Sequence, residues 1–347
     1  MASPIKIDSS VYYHDIYWNS YSKVIEYMSE NFSGDKSIYW FKHFKEKYCQ
    51  QKFKCALSFN CGNGWVEREF IDYGAVEKII AFDITDELLR VADQEKGDRP
   101  IQYFRADVNQ VDFPENQFDL VINVAALHHV QYIDRFVRIL CKSLKPGGLF
   151  VNFDYIGPHR NQYPFSQWQL VKKINKSLPA DARRSPLVYP HLPTMLSVDP
   201  TEAIHSELIL KTVGQYFNIL ERRDTAGGIA YEILSHNENL AKMEKKSQDE
   251  VVDYVLNLDR KYTLEKKVPP MFSYFVASPN KSVLSDVQTL NILEERENHR
   301  ERRAIKRFGS YYFMDDLKMF FHYRFAFILH KFPRTGALIK RYMKQFV

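Results

Sequence analysis

Cysteine is scarce in this chain of 347 residues, which contains only Cys49, Cys55, Cys61 and Cys141. They form no C-x-x-C pair and have no histidine at zinc-ligand spacing, so no metal site is expected from them. Free thiols in a reducing compartment are the plainer reading, and Cys61 has no base in view that would make it a nucleophile. Long apolar runs are missing too. None approaches a membrane span, and Met1-Ala2-Ser3-Pro4-Ile5-Lys6 leads to Asp8 without a signal-peptide core, so the chain is expected in the cytoplasm. Acidic residues vanish at the C-terminus. After Asp316 there are none, whereas Lys318, Arg324, Lys331, Arg334, Lys340, Arg341 and Lys344 carry seven positive charges, more than the net +5 of the whole chain. No nucleic-acid recognition motif accompanies that charge, so a nucleic-acid partner is not expected.

Aromatic residues are abundant, with 22 Tyr and 25 Phe, and 45% hydrophobic against 26% charged residues excludes a disordered or fibrous chain. The spacing of Tyr21, Val24, Ile25 and Met28, and again of Tyr39, Phe41, Phe44 and Tyr48, predicts a helical N-terminal cap over residues 1–52. From Lys54 onward, short apolar runs bounded by Gly, Asp or Asn alternate with helical patterns. Strands are expected over 55–59, 78–82, 101–105, 119–124 and 148–154, and helices over 65–73, 85–94 with Thr85 as N-cap, and 132–143. A loop-rich insertion follows over 157–200, a place where substrate contacts commonly reside. A helix over 200–211, a strand over 217–222, a helical stretch over 238–256 and a last strand over 272–277 close a domain spanning 53–280. This rhythm predicts an α/β doubly wound fold, a mainly parallel sheet with helices on both faces.

In such a sheet the ligand crevice lies beyond the carboxyl ends of the strands, so Asn60, Asp83, Asp107 and Asn123 converge there. The turn Asn60-Cys61-Gly62-Asn63-Gly64 follows the first strand, and its glycines permit close backbone approach to a ligand. Asp83 stands about 20 residues further on, where an acid can accept from both hydroxyls of a ribose. Asp107 is placed to meet a donor on a purine. The plainer alternative is that each acid caps the helix after it. A pyrophosphate dinucleotide is disfavoured, because Glu67 occupies the position of the third glycine and its charge would repel the phosphates.

The set Ala56-Leu57-Ser58-Phe59-Asn60-Cys61-Gly62-Asn63-Gly64, Phe82-Asp83, Ala106-Asp107-Val108, Phe118-Asp119-Leu120-Val121, Ala126-Leu127-His128-His129-Val130 and Leu144-Lys145-Pro146-Gly147-Gly148-Leu149 resembles the class I S-adenosylmethionine-dependent methyltransferases. The resemblance covers residues 56–154 and implies a Rossmann-like seven-stranded sheet. It also implies S-adenosylmethionine as cofactor, bound by Ser58, Asn60, Cys61, Gly62, Gly64, Asp83, Ile84, Asp107, Val108 and Asn123. Two positions depart from that family, which usually has an acid where Ser58 stands and a glycine where Asn60 stands. Asn tolerates the left-handed backbone region better than most residues, so Asn60 can still make the turn.

Methyl transfer depends chiefly on alignment, and a base is needed only for a hydroxyl or a protonated amine. The candidates are His128 and His129 after the fourth strand and Asp154 and Tyr155 after the fifth. For the histidines a structural role is an open alternative. Asp154-Tyr155-Ile156-Gly157-Pro158-His159-Arg160-Asn161-Gln162 and Asp199-Pro200-Thr201-Glu202-Ala203-Ile204-His205-Ser206-Glu207 are similar to segments of a bacterial subgroup associated with glycan and lipopolysaccharide assembly. His159, Arg160 and Trp168 are the expected substrate contacts, with a loop-anchoring role for Arg160 as the alternative. The expected function is methylation of an oxygen or nitrogen of a small molecule or glycan or lipid-linked sugar precursor. The competing reading is a non-catalytic scaffold of the same fold. The basic tail, 281–347, has Leu317, Phe320, Phe321, Phe325, Ile328 and Phe332 at helical spacing and is expected to contact a membrane surface peripherally, to pack on the domain, or to join a second copy as a homo-oligomer.

Overall fold

The strands alternate their side chains between two cores. Ala56, Leu120, Ile122, Val151 and Val276 face one hydrophobic cluster, whereas Leu57, Val121, Phe150, Phe275 and Ala277 face the other. A sheet covered on both faces follows from that pattern. The computed structural model describes residues 16–225 and 227–285. Its seven strands are β1 (Ala56–Phe59), β2 (Ile79–Asp83), β3 (Ile101–Arg105), β4 (Phe118–Val124), β5 (Leu144–Tyr155), β6 (Phe217–Thr225) and β7 (Phe272–Pro279), in the order β3-β2-β1-β4-β5-β7-β6. The first five pair in parallel, and β7 runs antiparallel to both β5 and β6. The order reverses between β1 and β4, which opens the crevice at their carboxyl ends.

Helices Ser22–Ser33 and Trp40–Tyr48 form the N-terminal cap. Much of the aromatic surplus is spent there. Fully buried Trp40 stacks on Phe41, with ring centroids 4.0 Å apart, and lies about as close as rings pack against Phe70, Phe153 of β5 and Tyr274 of β7. Helices Trp65–Asp72, Asp86–Glu95 and Ile133–Ser143 connect the parallel strands as expected. Thr85 does hold the N-cap position, but its side chain makes no capping bond; its backbone N–H donates to Asp83 instead. Lys145, at the start of the glycine-rich turn, reaches both carboxylate oxygens of Asp119 at 3.0 Å and ties the amino end of β5 to β4.

Three expectations are corrected. The 157–200 insertion is not mainly loop: it holds the helix Phe165–Ser177, which buries Trp168, Val171 and Ile174 along one face, and the short helix Leu192–Val198. The expected 200–211 helix begins only at Ile209, after a 3-10 turn, Ser206–Leu208. Upstream, Asp199 accepts from both the N–H and the hydroxyl of Thr201, and that local turn competes with helix formation. The 238–256 stretch is split into Glu238–Ala241 and Lys245–Leu264, the second opened by Glu244 accepting from the Ser247 N–H. The basic tail beyond Ser285 lies outside the described residues, as do residues 1–15 of the expected N-terminal cap. Among the described residues, no helix is long and apolar enough to cross a membrane.

Replacing Trp40 by Ala should remove the keystone of the aromatic cap. The expected loss is about 3–5 kcal/mol of unfolding free energy, read from urea denaturation of the two proteins.

Candidate active site

A cavity of about 460 Å³ opens at the carboxyl ends of β1 to β4 and is lined from β1 and the turn and helix after it by Ser58, Asn60, Cys61, Gly62 and Glu67. Asp83 and Ile84 after β2 and Asp107 and Val108 after β3 line it on one side of β1, and His129, Tyr132 and Thr201 line it on the β4 side. The backbone of the first turn explains its residues. Asn60 and Gly62 adopt left-handed φ of 47° and 55°, which Asn and Gly tolerate. Gly62 needs this because its N–H must point to Asp83, whose Oδ2 accepts it at 2.9 Å.

Asp83 and Asp107 each hold the turn after their strand as well as lining the cavity; no helix follows Asp107, so the capping alternative does not apply there. Asp83 accepts from the Thr85 N–H, and Asp107 accepts from the Asn109 N–H and from the Gln110 amide. A carboxylate has about four lone-pair sites, so these bonds leave acceptor capacity on both for a ligand. Burial pushes the Cys61 thiol well above its ordinary value, which keeps it unreactive.

Gly64 has a different reason from the one expected. It does not stand at the cavity wall. A Cβ there would fall 2.2 Å from the Tyr103 hydroxyl and 2.9 Å from Ala92 Cβ, so the glycine admits the packing of β3 and of the helix Asp86–Glu95 before it onto the turn. Asn123 is also corrected. It is fully buried and donates to Asn152 and Asp154, joining β4 to β5 rather than reaching the cavity.

Glu67, which from sequence repels a pyrophosphate but tolerates a sulfonium or ammonium, is the most unusual group in the cavity. Its carboxyl is wholly buried, one oxygen accepts from the Ser58 hydroxyl, and Oε2 has no hydrogen-bond partner. A carboxyl thus stands beside position 58, contributed by the first turn of the following helix and held by Ser58. A serine in the acid's place together with an acid nine residues on was the available signal. Burial raises the Glu67 carboxyl to about 7, the Ser58 bond opposing this only in part.

Beyond β4 and β5 lies a second buried group. Asp154, 1% exposed, accepts from the Leu127 N–H at 2.7 Å, from Asn123 and from its neighbour's N–H, and its Oδ1 lies 2.6 Å from His128 Nδ1. Burial alone would lower His128, but the carboxylates of Asp154 and Glu202 outweigh it and raise the imidazole to about 10. Burial and the adjacent His128 charge lower His129 to about 4. Glu202 is held down to about 2 by the two histidines, against the effect of burial. Among the four residues expected to be catalytic, His129 reaches the cavity. His128 and Asp154 stand behind it, and Tyr155 is packed against Phe272 and Tyr231.

The expected substrate contacts are turned to other uses. Arg160, 2% exposed, donates to the Glu202 carbonyl, His159 Nδ1 meets the Ile204 carbonyl, and Trp168 stacks on Tyr163. The first two hold the 199–206 segment against the end of β5, which is the anchoring alternative, met by backbone carbonyls. Thr201 and Glu202, which this anchoring presents to the site, were quoted in a motif but not singled out.

The carboxyl of Glu67 yields a pH test. A native value near 7 against about 4.5 unfolded means the native state holds an extra proton between those values, so stability falls as pH rises through that window, by roughly 3 kcal/mol in all. Glu67→Gln keeps an acceptor for Ser58 and abolishes this contribution. The difference between wild-type and E67Q unfolding free energies, measured in urea from pH 4 to pH 8, should shift in the mutant's favour across about 4.5–7.

Residues 57–152 match the family model described as a methyltransferase domain. Over 99 residues the chain is 34% identical to arginine-hydroxylase NDUFAF5, mitochondrial, of Rattus norvegicus, covering 28% of this chain and 28% of that protein. It is 25% identical over 169 residues to the ubiquinone/menaquinone biosynthesis C-methyltransferase UbiE of Ectopseudomonas mendocina, covering 45% of this chain and 66% of the relative. An S-adenosylmethionine-dependent methyltransferase structure from Mesorhizobium loti superposes with a TM-score of 0.40 at 19% identity, over 65% of this chain and 90% of that one. The matched stretch thus spans less than a third of the rat relative's length. From β1 to β5 the chain carries a class I methyltransferase domain, the kind whose methyl donor is S-adenosylmethionine.

Proposed function

We propose that the protein is an S-adenosylmethionine-dependent methyltransferase acting on an oxygen or nitrogen of a small molecule or of a glycan or lipid-linked sugar precursor. The observation that carries the first half is the wholly buried Glu67 carboxyl, facing a cavity that Asp83 and Asp107 also line. A dinucleotide phosphate is repelled by that carboxyl, whereas the ammonium group of a methionine moiety neutralises it. Asp83 binds the ribose hydroxyls, and Ile84 and Val108 offer apolar surface for the adenine beside Asp107. When bound, S-adenosylmethionine supplies a methyl group already activated on a sulfonium sulfur. The protein's task is then alignment and exclusion of water, with His129, Tyr132 and Thr201 at the acceptor end.

The acceptor class rests on the segments 154–162 and 199–207, which lie outside the matched core. The first begins at the carboxyl end of β5, and the second brings Thr201 to the cavity. The scaffold alternative draws on Ser58 and Asn60. It is weakened by the Ser58–Glu67 pair and by the left-handed Asn60, which keep the acid and the turn in place by other means.

Calorimetry with S-adenosylmethionine and its demethylated product tests the reading. Binding is expected, and near pH 6 it should release a proton as Glu67 ionises against the ligand's ammonium group, seen as a dependence of the heat on buffer ionisation enthalpy. E67Q should bind at least about tenfold more weakly and release no proton there. No binding of either compound at millimolar concentration would sink the proposal and favour the scaffold. With candidate acceptors, product mass should rise by CH2; a gain of oxygen, in line with the rat relative's name, would overturn the assignment of reaction.

A further inference from the structure

Three metal-ligating side chains meet on the β4 side of the cavity. His128, His129 and Glu202 each place one ligand atom within 4.8 Å of the others. Glu202 Oε2 lies 3.7 Å from His128 Nε2 and 3.8 Å from His129 Nε2. A tetrahedral ion with bonds of about 2.1 Å separates its ligands by roughly 3.4 Å, so Glu202 stands within a few tenths of an ångström of that spacing from each imidazole, and the two imidazole nitrogens lie within 4.8 Å of each other.

In all three side chains the other polar atom is held by a neighbour outside the triad. His128 Nδ1 is bound by Asp154 Oδ1 at 2.6 Å, His129 Nδ1 by Thr201 Oγ1 at 3.1 Å, and Glu202 Oε1 by the Asn161 amide at 3.3 Å. Outer partners of this kind fix ring orientation and tautomer in metal centres. The Thr201 hydroxyl donates to Asp199 at 2.7 Å, so its oxygen accepts from the histidine. In the neutral imidazole that bond puts the proton of His129 on Nδ1 and its lone pair on Nε2, the atom facing Glu202. Three carboxylates, Asp154, Asp199 and Glu202, surround the group, against the guanidinium of Arg160 and any proton on His128 that an ion would displace.

We propose that His128, His129 and Glu202 bind a divalent first-row transition ion at the acceptor end of the cavity. Two imidazoles and one carboxylate suit zinc, manganese, iron(II) or cobalt(II) rather than calcium. Three protein ligands leave coordination positions open to a further ligand. Because His129 and Thr201 line the cavity, that ligand is an oxygen or nitrogen of the molecule bound there, which the ion orients and acidifies. The ion replaces any proton carried on His128 Nε2. The site uses no cysteine, and it stands or falls independently of the methyl-transfer reading.

Cobalt(II) titration of metal-stripped, tag-free full-length protein, followed by visible d–d absorption, tests the proposal. A single saturable site is expected. Glu202→Gln and His129→Ala should each weaken it by at least about tenfold, and Thr201→Val, which keeps side-chain volume but removes the Nδ1 partner, by a similar factor. His43→Ala, at a histidine paired with Glu221 elsewhere, should leave it unchanged. Absence of d–d bands in the wild type, or equal cobalt affinity in folded T201V and E202Q, overturns the proposal. Donor binding with no cobalt binding would refute the metal site alone, and cobalt binding without donor binding would refute the methyl-transfer reading alone.

Discussion

The carboxylate of Asp154 is the fixed point of the β4 side of the site. It closes β5 with almost no exposure, and a buried carboxylate must have its lone pairs engaged. Its oxygens satisfy the Leu127 N–H, the Asn123 amide and the His128 imidazole. Those bonds position the turn after β4, and that turn carries His129 to the cavity. The same carboxylate sets the direction of His128 toward Glu202, which arrives from the other side of the insertion. One strand-end acid therefore joins the parallel core to the segment that closes the acceptor end.

The other half is organised around a carboxyl of opposite character. Asp154 has a charged partner and donors on both oxygens, so it remains ionised at low pH, its value lowered by His128 and the neighbouring donors despite burial. Glu67 has one neutral donor and an orphan oxygen, so burial prevails and the proton stays until about pH 7. The two acids are thus driven apart by surroundings alone. Asp154 lies behind the cavity with its lone pairs engaged, while Glu67 keeps an unpartnered oxygen at the cavity wall.

The cofactor half was largely legible because backbone requirements are local. A turn with Asn60 and Gly62, and acids at the ends of β2 and β3, read directly as a crevice at the strand termini. Gly64 read incorrectly because its constraint comes from Tyr103, 39 residues away, and nothing local announces that contact. His159, Arg160 and Trp168 read as exposed contacts because polar and aromatic residues in an insertion usually face solvent. Here each finds a buried partner that only the tertiary fold provides. The break at Asp199–Thr201 was missed for a related reason, since a short side-chain turn overrode an apolar spacing suited to helix. Asn123 shared the strand-end position of the other three polar residues, but a central strand between β1 and β5 places its side chain between sheet neighbours.

The way the insertion is fastened has a consequence for how such a protein can diversify. Its hold on the acceptor end runs through a handful of bonds, His159 and Arg160 to backbone carbonyls and Thr201 to His129. The Ser58, Glu67 and Asp83 end has no share in them. Backbone carbonyls are present whatever the side chain, so the seats at Glu202 and Ile204 survive a change of side chain, whereas the bond from Thr201 does not. Side chains that point away from those two carbonyls can therefore reshape the cavity wall without unfastening it, provided Thr201 keeps its hydroxyl.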